Sequence, residues 1–168
     1  MGNFLAIPIL LIAVILQATV VPQVRLLGGG PDLIFLATLA WSINARLEEG
    51  VVWSFIGGIF QDLLSAAPTG TSVFGMLIVV FGVSGIGSQV YRIGFLLLGG
   101  SVLVGTIVKQ LSMYFVLTLA GFSIDWLVTL GYVLLPTLIY NLALIWPVYW
   151  ILRGIQRRFS SNRSFSMR

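Results

Sequence analysis

Apolar residues run along this chain in blocks too long for strands and too uninterrupted for the surface helices of a soluble domain. Six such runs can be marked, at about Phe4–Val21, Pro31–Ala45, Gly50–Ala67, Thr71–Val90, Ile93–Ala120 and Asp125–Leu152. A helix needs about 20 apolar residues to cross a bilayer core, fewer if its ends are tucked in. The pattern therefore predicts an all-α integral membrane protein, a six-transmembrane-helix bundle forming one membrane domain over 1–168. Short loops make sequence neighbours spatial neighbours. The second run is the shortest, and a partly re-entrant path over Pro31–Asn44 is an alternative to a full crossing. Pro136 and Pro147 inside the sixth run each remove a backbone hydrogen bond, so that helix is expected to be kinked or interrupted.

Polar residues punctuate the runs. Pro31 suits a first helical position, and Asp32 follows it where a carboxylate meets free N–H groups and the positive end of the helix dipole. Glu48 and Glu49 before the third helix, and Ser123 and Asp125 before the sixth, stand in the same relation. These acids read as helix starts. Small residues recur four apart at Ser54 and Gly58, Ser84 and Ser88, and Ser101 and Gly105, the spacing that lets membrane helices approach closely.

Composition turns this pattern into a statement about solvent. The chain is 58% hydrophobic and 8% charged, against about 25% charged in an average soluble domain. Too few charges are present to cover a surface in water, so lipid must cover most of it. Cysteine and histidine are both absent, which excludes disulfides, thiolate nucleophiles, histidine triads and most zinc sites. The five acids are scattered over different loops and depths, so no catalytic, cofactor or metal site is expected.

Charge gives an orientation. The net charge of +4 comes largely from Arg153, Arg157, Arg158, Arg163 and Arg168, which form a basic tail over 153–168. Arginines just beyond a span mark the cytoplasmic side and favour anionic lipid, so no nucleic-acid partner is read from them. With both termini cytoplasmic, Arg46 and Arg92 also fall inside and only Arg25 falls outside. The first run lacks a cationic leader and a clean cleavage site and reads as a retained helix. The expected arrangement is a chain that crosses the membrane several times with both ends on the cytoplasmic side.

Asp62 and Lys109 lie well inside apolar runs, where a charge costs a few kcal/mol or more. At 1.5 Å per residue they sit roughly 16–18 Å and 22–24 Å from the inner ends of their helices. Three readings of Asp62 stand open: it accepts from N–H groups of the Pro68–Ser72 turn, it pairs with Lys109, or it carries an ion. The first is supported by the helix-breaking sequence around Pro68 and Gly70. Near a helix C-terminus the dipole disfavours an anion, so Asp62 needs compensation.

The order Pro31-Asp32-Leu33, Trp41, then EEGVVWSFIGGIFQDLLSAAPTG and finally NLALIWPVYWILRGIQRRF resembles the MreD family of the bacterial rod-shape complex. Gly57, Gly58, Asp62, Leu63, Leu64, Ser65, Pro68 and Gly70 fit its most specific segment, and Trp146-Pro147 with the following arginines fits its ending. Ala66 and Thr69 stand where the family commonly has glycine and leucine, and Lys109 matches no motif of it. The resemblance implies a non-enzymatic scaffold that binds MreC, in company with MreB, RodA and a class B penicillin-binding protein, and supports peptidoglycan synthesis. It also implies a fold similar to the six-helix substrate-binding subunits of energy-coupling-factor transporters. The rival function is accordingly a vitamin- or small-solute-binding subunit.

Overall fold

A computed structural model of the chain describes residues 2–25, 28–65, 68–87, 95–121 and 130–161. Among these, the regular elements are helices: α1 (Gly2–Thr19), α2 (Val21–Val24), α3 (Leu33–Ser42), α4 (Leu47–Leu64), α5 (Thr71–Gly87), α6 (Phe95–Leu119) and α7 (Leu135–Ser161). A π-helical turn, Leu130–Leu134, leads directly into α7. By length and composition, two stretches, 96–119 and 131–158, suffice to cross a membrane.

Several boundaries differ from the hydrophobic runs for physical reasons. α3 starts at Leu33, with Asp32 as its N-cap and Pro31 outside the helix, because the Asp32 carboxylate closes the first turn by accepting from the Phe35 N–H. α4 begins at Leu47, so Glu48 and Glu49 lie within its first turn rather than before it. α7 continues through Ser161, nine residues past the apolar run, because hydropathy ends where lipid ends while helix propensity continues. The interruption expected in the last run is the π turn: Pro136, unable to donate to a preceding carbonyl, falls in the first turn of the α-helical part. Pro147 is exposed inside α7. The expectations for Ser88, Arg92, Ser123, Asp125, Arg163 and Arg168 lie outside the described residues.

α3 is the centre of the molecule. Its ten residues span about 15 Å, half a bilayer core, and all but Leu33 are buried. α1, α4, α5 and α7 surround it. Trp41 of α3 stacks on Trp53 of α4 with centroids 4.2 Å apart and an 11° interplanar angle.

The paired glycines explain how α4 fits between two neighbours. A Cβ at Gly57 would stand 2.9 Å from Thr38 Oγ1 on α3, and one at Gly58 would stand 2.5 Å from the Val73 Cα on α5. Gly50, Ser54 and Gly58 form the α4 seam against α5, where a Gly50 Cβ would meet Val80 at 2.8 Å. Backbones close enough to exclude a methyl group maximise packing, the main attraction available between helices in lipid. The exterior is apolar: Phe4, Leu63, Leu96, Leu119, Ile139 and Trp150 are all exposed.

Candidate functional site

Two buried polar constellations lie back to back on α4, one served by Gln61 and the other by Asp62. The first gathers at the start of α3. Asp32 Oδ1 accepts from the Phe35 N–H at 3.1 Å, while Oδ2 accepts from Gln61 Nε2 at 3.0 Å and forms an ion pair with Lys109 Nζ. Lys109 also donates to Gln61 Oε1 at 2.9 Å, and its ammonium lies 5.3 Å from the centroid of the Phe35 ring. The cation is only 4% exposed.

Flanking polar groups lock this cluster to two further helices. Asn141 of α7 accepts from the Asp32 N–H at 3.0 Å and donates to Thr106 Oγ1 of α6 at 3.1 Å. Gln17 of α1 donates to the Pro31 carbonyl and accepts from the Leu33 N–H, at 3.0 and 2.8 Å. α1, α3, α4, α6 and α7 thus meet around one carboxylate. A roof covers it: the carbonyl of Val133 in the π turn would stand 2.5 Å from a Cβ at Gly29, and Tyr140 donates to the Val24 carbonyl at 2.6 Å.

The Asp32 carboxylate is fully supplied with donors at this point. It sits at a helix N-terminus, receives a charge-assisted bond from Lys109, and spends its remaining lone pairs on amide donors. A buried pair is retained at a desolvation cost that only such complete satisfaction offsets. Lys109 therefore pairs with Asp32, not with Asp62 as one of the open readings had it.

Asp62 has different partners. Oδ2 accepts from the Gly70 N–H at 2.6 Å and Oδ1 from the Ser72 N–H at 2.9 Å. Pro68–Thr71 form a β-turn, closed by the Thr71 N–H on the Pro68 carbonyl at 3.2 Å, in which Gly70 adopts φ +103. Such a φ is strained for any side chain. The carboxylate sits in the last turn of α4, where the dipole opposes it, but at the first turn of α5, where the dipole favours it. One side chain thus sets the angle between two consecutive helices.

The other residues marked from sequence are dispersed. Gly57 and Gly58 are packing positions on α4, Pro31 is buried beside the cluster, and Pro68 is exposed in the turn. Trp146 packs against the core far along α7 and Pro147 faces outward beside it. Gln17, Gln61, Thr106 and Asn141 escaped the sequence reading because they are uncharged. Their signal was available: an amide inside an apolar run must find a partner in a bundle core. Among the described residues, no group of three or more acids could hold a metal ion.

Comparison with known proteins gives one family: the model of the rod shape-determining protein MreD family matches residues 1–159. No curated protein and no solved structure matches the chain.

Proposed function

Since the chain belongs to the MreD family of rod shape-determining membrane proteins, we propose that it works as a non-enzymatic scaffold of the elongation machinery. In this reading it crosses the cytoplasmic membrane six times with both termini inside, the half-length α3 belonging to one of the crossings. The observation that carries the reading is the inward use of polarity. Asp32, Asp62, Lys109 and Asn141 are spent on one another and on backbone groups, while large apolar side chains face outward. Such a molecule has surface to offer to other helices and little free polar chemistry to offer to a solute.

The partner proposed is MreC, bound through its transmembrane helix on the outer surfaces near α3 to α5, with MreB, RodA and a class B penicillin-binding protein in the same assembly. Close packing supplies the affinity, because lipid competes equally for apolar surface. The basic C-terminal end, helical through Arg158, adds attraction to anionic lipid of about 1 kcal/mol per arginine near the surface.

One observation favours the alternative of a solute-binding transporter subunit. α3 is a half-length helix with its N-terminus directed into a buried charged cluster, an arrangement transporters use to hold ions and carboxylates. Against it, Asp32 already occupies that N-terminus. Copurification separates the readings: the scaffold is expected to retain MreC through detergent extraction, and a folded protein that releases MreC but retains a vitamin or other solute would overturn it.

A further inference from the structure

α5 and α6 form a fork. Toward one end they are pressed together: a Cβ at Gly75 would stand 3.1 Å from the Lys109 carbonyl, and one at Gly105 would stand 2.9 Å from Val79. Toward the other end they part, and a Cβ at Gly82 or Gly100 would meet no atom of a described residue within 4 Å. Between them lies a groove of about 370 Å³, lined on α6 from Leu96 to Val108 and on α5 from Ile78 to Val83, and also by Ile43, the residue that follows α3. Among the described residues Ser101 is the one lining residue with a polar side chain, and its hydroxyl is spent on the Leu98 carbonyl at 2.8 Å.

We propose that this groove binds one acyl chain of an anionic phospholipid from the surrounding bilayer, with the headgroup phosphate at the Arg46 guanidinium. Two observations select this occupant. Leu96 to Val108 covers about 18 Å of helix, close to the ~15 Å depth of one leaflet of hydrocarbon. Arg46 stands three residues beyond Ile43, is exposed, and among the described residues has no ion-pair partner, although Glu48 and Glu49 follow it. A cation at the end of an apolar groove one leaflet long matches a phosphate attached to a hydrocarbon chain.

The inference rests on the membrane reading above, and the test separates the two. The full chain is reconstituted into vesicles of phosphatidylcholine and phosphatidylglycerol in which the phosphatidylglycerol carries a photo-crosslinking acyl chain, and crosslinks are mapped by peptide. Labelling is expected on the facing walls of α5 and α6. Gly100→Phe and Gly82→Phe place a ring in the groove from either wall, each at a position whose Cβ has open space among the described residues, and each is expected to cut labelling about tenfold. Gly99→Phe is equally free of neighbours but lies outside the lining, and should label as wild type. Arg46→Gln should retain the labelling pattern while abolishing the preference for phosphatidylglycerol over a phosphatidylcholine carrying the same chain. Equal labelling in all three glycine variants while the chain resists alkaline extraction would overturn the groove and leave the membrane reading intact. Release of the wild-type chain by alkaline extraction would overturn the membrane reading and the groove with it.

Discussion

At the scale of single residues, the Lys109 ammonium and the Asp32 carboxylate carry most of the energetic risk. Removing one partner leaves the other buried and uncompensated, which costs about 3–5 kcal/mol, whereas replacing both by neutral groups of similar size costs far less. Lys109→Met and Asp32→Asn are each expected to lower the thermal midpoint sharply, and the double variant is expected to recover much of the loss. A double-mutant cycle on protein reconstituted in lipid reads the coupling directly; additive effects would remove the pair from the account. Counting rise per residue placed Lys109 at a depth that both acids could satisfy: Asp32 lies about 20 Å from the inner end of its run and Asp62 about 16–18 Å. The sequence reading passed over Asp32 because a helix-start acid already has donors. A carboxylate has two oxygens, however, and here one caps the helix while the other takes the cation. Asp62 was legible for the opposite reason, since its partners lie eight and ten residues away and a proline and a glycine announce the turn between.

At the scale of elements, the α4–α5 pair is set by one anchor and one close contact. Asp62→Ala leaves two backbone donors without their acceptor and is expected to cost about 1–3 kcal/mol, while Asp62→Asn, which has a single carbonyl oxygen, should lose part of that. Chemical denaturation in mixed micelles measures both; equal stability of Asp62→Ala and wild type would mean that the turn does not depend on the carboxylate. Gly58→Val forces α4 off the Val73 backbone and should destabilise strongly, whereas Gly82→Ala, with open space at its Cβ, should change the midpoint little. Comparable losses at the two positions would contradict the helix seam described here. Which glycines pack closely was not legible: Ser54 and Gly58 do line a seam, but with 19 glycines in the chain the spacing recurs without consequence elsewhere. Helix ends were legible only where chemistry terminates the chain path. The Pro68–Gly70 break shows in the sequence, whereas α7 runs past its apolar stretch because nothing in residues 153–161 stops a helix.

At the scale of the whole molecule, the six apolar runs each correspond to a described helix, and helical class was legible from run length alone. The arrangement around a half-length central helix was not, because hydropathy weighs each run separately while α3 depends on amides from α1, α4 and α7. Burying the polar residues at the centre leaves an exterior suited to lipid and other helices, and this is the physical content of the proposed scaffold. If the six-span reading holds, reporters fused after Gly2 and after Ser161 should both register the cytoplasm, and one inserted at Gly28 should register the opposite side. The most direct test of the central claim is one thermal unfolding experiment on the full chain in nanodiscs, run with the MreC transmembrane segment and in parallel with a panel of vitamins and small ions. The MreC segment is expected to raise the midpoint and no solute is; a midpoint raised by a solute and unmoved by the segment would overturn the scaffold role.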